Sequence, residues 1–225
     1  MSKKNARWRK LDNAAKLYSA ASNKKDTRVF RFYCELKEEV NPKALQEALN
    51  QTIETFPTFL MVLRKGFFWH YLEPCNLRPI VKEEYKEPCS RLYIRDKKTL
   101  LFEVTYYKKR INFEVFHVLT DGTGATEFLK ELVKNYLYLV HKEEGLEQIT
   151  LLPEDMTVQD QEDDSFLKYY SKNQKRPKKR KLNAFQIRRK KKDGNHLHVH
   201  ESVVSVQALS LIHISEPTRL LSISY

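Results

Sequence analysis

The sequence predicts an α/β fold, a mixed β-sheet with helices on its faces, and three observations carry that expectation. Residues 111–118 alternate, with Ile111, Phe113, Val115 and His117 on one face and Asn112, Glu114, Phe116 and Val118 on the other, which is the period of a strand. The turn Thr120-Asp121-Gly122-Thr123-Gly124 follows, its two glycines permitting backbone angles or approaches that a side chain blocks. Ala125, Phe128, Leu129, Leu132, Val133, Tyr136, Leu139 and Val140 then recur at helical spacing, so one stripe of a long helix faces a core.

The other elements follow in chain order. Residues 1–10 are basic and loose at the start. Trp8, Leu11, Ala14, Ala15, Leu17 and Tyr18 form a segment that docks on the body, with Asp12 or Asn13 as its cap. Residues 29–36, rich in aromatic and branched side chains, form the first strand. Asn41-Pro42 opens a helix with a cap followed by proline at its first position. Ala44, Leu45, Ala48, Leu49, Thr52 and Ile53 are its buried stripe, and it stops before Phe56-Pro57.

Two apolar runs, 59–63 and 67–72, flank Arg64-Lys65-Gly66 as a hairpin. Residues 74–88 are mostly loop, with a short strand at 81–85. A second hairpin pairs 100–107 with 110–118 around Lys108-Lys109 and runs into the Asp-Gly turn; the long helix after it frays near Glu143-Glu144-Gly145. Residues 151–164 are acidic, 169–181 are basic, and neither has a core of its own. Strands resume at 184–188 and 196–206, the latter alternating His196, His198 and His200 against Leu197, Val199 and Glu201.

Composition narrows the function classes. Hydrophobic residues make up 41% and aromatic residues 12% of the chain, enough for a substantial core. No run approaches the roughly 18 apolar residues of a spanning helix, and no signal core follows the basic N-terminus, so a cytoplasmic protein is expected. Cys34, Cys75 and Cys89 are odd in number and match no zinc spacing, as reduced, buried or incidental thiols do. The net charge of +12 is localised, because residues 172–192 hold 12 Lys or Arg and no Asp or Glu. That run reads as a solvated linker, as a binder of anionic surfaces or nucleic acid, or as a contact for the phosphates of a cofactor. Nucleic acid is not expected as the partner, since no recognition motif accompanies the charges.

The chemistry points to His117. An imidazole at the end of a rigid strand, beside a turn and a helix N-terminus, is placed as a general base, with an unperturbed pKa near 6.5 that leaves it mostly neutral at pH 7. A satisfied core histidine is the alternative reading. Asp121 either caps the helix or orients the turn. His70 reads as packing or surface, and His196, His198 and His200 as an exposed strand face, since no acidic or cysteine partner has metal-ligand spacing.

The spacing His117-x-x-x-Asp121-Gly122 is an HxxxDG motif. The segment resembles the active-site motif of the superfamily that contains chloramphenicol acetyltransferase, plant acyltransferases and the condensation domains of peptide synthetases. WRKLDNAAKLY, ALNQTIETFPTFLMVLRKGFFWHYLE and YYKKRINFEVFHVLTDGTGATEFL are similar, within it, to bacterial proteins described as alcohol acetyltransferases, over residues 7–206. The resemblance implies the N-terminal half of a two-subdomain acetyltransferase-like fold. It also implies acyl transfer from a coenzyme A thioester, acetyl-CoA, to an alcohol or amine acceptor, with no metal. His117 would be the general base and Asp121 would orient the loop through an ion pair, with Arg31 or a residue of the missing half as its partner. Gly122 would keep the turn tight and leave room beside the site. A non-catalytic module that keeps the fold and binds is the alternative.

The expected organisation is a first subdomain at 1–165, a basic linker at 166–192, the start of a second subdomain at 193–208 and a tail at 209–225. In that tail LSLIHISEPTR reads as the in-frame translation of a transposon-end adaptor used in sequencing libraries. The natural protein is accordingly expected to continue beyond Ala208, and the chain alone to be inactive or poorly soluble.

Overall fold

The structure is a computed structural model, and it describes residues 8–67, 69–95 and 97–142. The expected connectors, the alternating histidines, the basic run and the adaptor-like tail lie outside the described residues.

A two-residue strand β1 (Arg9–Lys10) leads into helix α1 (Asn13–Ala21). Asp12 caps that helix, its Oδ1 accepting the Ala15 N–H at 2.6 Å. Strand β2 (Val29–Glu35) is followed by α2 (Pro42–Thr55). Asn41 caps α2 through Oδ1, which accepts the N–H groups of Lys43 and Ala44 at 3.0 and 3.2 Å, while Pro42 supplies a helical φ at no hydrogen-bond cost. A 3₁₀ turn (Pro57–Phe59) then precedes β3 (Met61–Lys65) and β4 (His70–Pro74). Strands β5 (Lys82–Glu83), β6 (Phe102–Tyr107) and β7 (Arg110–Phe116) lead to the long helix α3 (Gly122–Val140).

The strands form two sheets, β1-β4-β3 and β2-β7-β6-β5. The four-stranded sheet is mixed, because β5 runs parallel to β6 while the other pairs are antiparallel. The α/β architecture anticipated from periodicity is thus the one observed. Helices α2 and α3 bury their stripes on one face of the four-stranded sheet, where Leu45, Ala48, Leu49, Phe128, Leu132 and Tyr136 meet Val104, Ile111, Phe113 and Val115. The Phe128 ring stacks on Phe59 at 4.4 Å and on Phe113 at 4.7 Å, anchoring the first half of α3. Its second half is tied to α2, since the Asn41 N–H donates to Tyr136 Oη at 2.8 Å.

A second core lies at the far end of β7, where Leu11, Ala15, Met61, Leu63, Leu72, Leu101, Phe116 and Val118 pack together. It joins α1, the three-stranded sheet and the exit of β7, and so fixes where the chain leaves the strand.

Two expectations shift in register. The strand predicted to reach Val118 ends at Phe116. The last rungs are single bonds, from Phe116 N–H to Leu101 O at 2.8 Å and from His117 N–H to Arg28 O at 2.9 Å. Arg28, at a φ of 54°, turns the partner chain away, so the ladder stops there. The run 67–72 is not all strand either: Lys65 pairs with His70, and the Gly66 N–H donates to Trp69 O at 2.7 Å, which leaves Phe67 and Trp69 in the hairpin turn. Pairing register placed these aromatics in the turn, against the hydrophobicity that suggested a strand.

Candidate active site

The strand β7 is buried on both faces, so its end is held rigidly. His117 is the first residue after it, in a turn closed by the Leu119 N–H donating to Phe116 O at 2.8 Å. The imidazole lies between two rings. Tyr18 of α1 stacks on it at 4.0 Å between centroids and 16° between planes, and Phe30 of β2 tilts against it at 4.8 Å and 55°. His117 is half-buried, yet its Nδ1 is buried and makes no hydrogen bond among the described residues. A neutral imidazole carries one donor and one acceptor nitrogen, so one of its polar groups is unsatisfied. Buried polar groups are mostly paired, and Nδ1 is one of six buried side-chain atoms left without a hydrogen-bond partner among the described residues.

Asp121 is exposed and extended, and it is the cap of α3: its Oδ1 accepts the Gly124 N–H at 2.9 Å while its carbonyl accepts the Ala125 N–H at 3.0 Å. Capping, one of the two readings left open by the sequence, is therefore what the carboxylate does among the described residues. Gly122 opens α3, and among the described residues a Cβ on it would meet only Phe32 Cζ, at an ordinary 3.9 Å. Gly124 is the confined glycine, because a Cβ there would collide with the Thr120 hydroxyl and sit 3.7 Å from the Asp121 Oδ1. Position 124 is thus crowded by the Thr120 side chain, which would have to turn to admit a Cβ, while among the described residues the space beside Gly122 is open.

Arg31, the candidate partner of Asp121, is engaged elsewhere. Its Nε donates to Glu114 Oε1 at 2.9 Å and its NH1 to Glu84 Oε1 at 2.5 Å, while Arg110 reaches Glu84 Oε2 at 3.2 Å. Glu114 Oε1 also accepts the Cys89 N–H at 2.6 Å. Burial opposes the charge on Arg31, but hydrogen bonds and attraction from Glu84 and Glu114 outweigh it and raise its pKa. The same bonds, with those from Arg110, hold the Glu84 carboxyl below its ordinary value although burial pushes it up. This network lies on the face of β7 opposite the α2–α3 core, and clamps the segment after β5 onto the sheet.

The remaining candidates are peripheral. His70 begins β4, and burial, then the charges of Lys65 and Arg95, lower its pKa. Cys34, Cys75 and Cys89 are free, and burial raises all three thiols, against the profile of a reactive cysteine. Among the described residues no group of three His, Cys, Asp or Glu is placed to hold a metal. A shallow cavity of about 350 Å³ opens between Ile80, Tyr85, Arg91, Ile94 and the start of β6, and His117 is not among its walls. Sequence reasoning missed Tyr18 and Phe30 as neighbours of the imidazole. The apolar spacing Leu11, Ala15, Tyr18 marks the docking face of α1 but not where it docks.

No family model and no curated protein matches the chain. Solved structures do. The starter condensation domain of the rhizomide synthetase RzmA superposes with a TM-score of 0.50 at 13% identity, over 64% of this chain and 40% of that one. A mutant of the same domain, in complex with C8-CoA, superposes with a TM-score of 0.51 at 14% identity, over 64% and 38%. The chain spans about 40% of the length of these domains. At such identity the likeness speaks for the fold, and the conclusion is that this chain has the α/β fold of part of a condensation domain.

Proposed function

We propose that this chain is part of an acyltransferase that moves an acetyl or longer acyl group from a coenzyme A thioester to an alcohol or amine acceptor, with His117 as general base. The observation that carries the reading is the His117 imidazole, held between Tyr18 and Phe30 at the exit of a buried strand, with Nδ1 buried and without a hydrogen-bond partner among the described residues. With Nδ1 enclosed, Nε2 is the nitrogen left to meet a substrate. The HxxxDG spacing, and the fold shared with a condensation domain crystallised with C8-CoA, support the same reading.

His117 takes the acceptor proton as the acceptor oxygen, or nitrogen, bonds to the thioester carbonyl carbon. The carbon–sulfur bond breaks, and His117 returns the proton to the departing thiolate, leaving an ester or amide and a free thiol. Asp121 holds the loop by capping α3, and Gly122 leaves the space in which substrate lies beside it. The free, unreactive thiols suit the reducing cytoplasm as the compartment of the reaction. The test is to incubate the whole protein with acetyl-CoA and a panel of alcohols and amines while following thiol release and product mass. An ester or amide formed in step with thiol supports acyl transfer. Thiol release without acylated product, or no release with any acceptor, contradicts it.

A further inference from the structure

The cavity of about 350 Å³ beside β6 opens where the edge strand is short. β5 pairs only with Thr105 and Tyr106, so among the described residues no strand covers Phe102–Val104 on that side, and these three residues border the cavity instead. Its walls are fixed. Gln46 of α2 grips one of them, its Nε2 donating to Pro79 O at 3.2 Å and its Oε1 accepting the Val81 N–H at 2.9 Å. Another is held where the Thr99 hydroxyl donates to Leu92 O at 3.1 Å, with Leu92 itself buried.

Two kinds of side chain converge on that space. Leu77, Ile80, Tyr85 and Ile94 line it although they are exposed, Ile80 at 64% and Tyr85 at 61%. Single exposed apolar residues are ordinary, whereas four on one concavity mark a binding surface. Arg78, Lys82, Lys86 and Arg91 line it as well, against one carboxylate, Glu103. That carboxylate is committed, since it pairs with Lys86, lies 3.9 Å from Lys82 and accepts the Tyr85 hydroxyl at 2.9 Å. Of the neighbouring acids, Glu84 is held by Arg31 and Arg110, and Glu83 and Glu87 are exposed outside the walls. Arg78 and Arg91 are exposed, and neither side chain has an ion pair or hydrogen bond among the described residues.

Guanidinium groups grip carboxylate and phosphate oxygens with a fork of donors, and aliphatic side chains receive an alkyl chain. The volume lies near the small end of the roughly 300–1,000 Å³ of small-molecule sites, which suits one short chain. We infer that this cavity binds an amphipathic anion, an aliphatic chain ending in a carboxylate or phosphate, with the headgroup drawn to Arg78 and Arg91 and the chain laid on Leu77, Ile80 and Ile94. The inference is independent of the acyl-transfer reading, because His117 is not among the walls.

The test is calorimetric titration of the whole protein with decanoate, decyl phosphate, decanol and inorganic phosphate, each below any micellar concentration. Decanoate or decyl phosphate binds about tenfold or more tightly than decanol or inorganic phosphate, and the tighter of the two identifies the headgroup. Arg78→Gln with Arg91→Gln alters two exposed side chains that hold nothing in the fold, and weakens that binding by about tenfold or more. Ile80→Ser with Ile94→Ser weakens it on a similar scale by removing the contacts of the chain. The basic run at 172–192 is the built-in rival, since it attracts anions by charge alone and takes inorganic phosphate as readily as decyl phosphate. Equal binding of those two phosphates, or undiminished binding in either double variant, overturns the inference and assigns the anions to that run. Decanol bound as tightly as decanoate overturns it by removing the role of the arginines. No binding of any of the four probes overturns it as well, and leaves the surface to a macromolecular partner.

Discussion

The Tyr18 ring lies 4.0 Å from the imidazole of His117 and within 16° of parallel to it. A helix from the start of the chain therefore sets the orientation of a side chain at the exit of β7, far along the sequence. Tyr18 is a positioning residue on this account, because it reaches the acceptor only through the imidazole. Tyr18→Ala is expected to lower kcat about tenfold, on the scale of one lost aromatic contact and the ring freedom it releases. Tyr18→Phe, which keeps the stacked face, is expected to restore it. A loss in both variants would point instead to the hydroxyl.

The two glycines of the turn separate packing from function. Gly124→Ala forces a methyl group against the Thr120 hydroxyl, and a loss of about 1–2 kcal/mol is expected from crowding at this cap. Among the described residues Gly122→Ala meets only Phe32 at ordinary distance and sits in the first turn of a helix, so stability should hold or rise by about 0.5 kcal/mol. If the space beside Gly122 receives substrate, turnover falls in this variant while its denaturation midpoint does not. Unchanged turnover would mean that the space is idle.

Asp121→Ala removes a helix cap, and a cost of about 1 kcal/mol follows. Asp121→Asn keeps an acceptor for the Gly124 N–H and is expected to keep most of the stability. Activity retained in the Asn variant assigns Asp121 to capping. Activity lost at unchanged stability requires the negative charge, and with it a cationic partner other than Arg31.

The buried charge network makes the fold acid-sensitive. Glu84 titrates below its ordinary value in the folded chain, so its contribution is full above the unfolded carboxylate value and disappears as pH falls through the folded one. Denaturant melts of the native chain and Glu84→Gln should differ at neutral pH, begin to approach one another as pH falls below the ordinary carboxylate range of about 4, and meet only below the lower value that Glu84 has in the folded chain. Arg31→Met, which strands Glu114 in the sheet, is expected to cost about 3 kcal/mol at pH 7.

Much of this was legible in the residues. Asn41-Pro42 announced α2, Asp12 announced α1, and the β7–turn–α3 unit was readable because alternation, two glycines and a helical stripe agree with one another. The hairpin at Lys108-Lys109 was readable from its flanks alone, since Lys108 adopts a φ of 50° that its residue type does not advertise. Tertiary neighbours were not legible. Arg31 faces Glu114 because β2 and β7 pair in one register among several, and Tyr18 meets His117 because α1 docks where the second core closes. The run 67–72 was misread in part because Phe67 and Trp69 are exposed in the hairpin turn, where hydrophobicity does not report burial.

The central claim rests on one nitrogen and one proton, and single-turnover thiol release from acetyl-CoA in the whole protein addresses it most directly. Native protein and His117→Ala are compared at saturating acceptor, with far-ultraviolet circular dichroism confirming that both are folded. A general base predicts a fall of about 10²- to 10⁴-fold in the variant. Equal rates in two folded proteins would contradict the assignment, and leave the imidazole between Tyr18 and Phe30 as a packing residue.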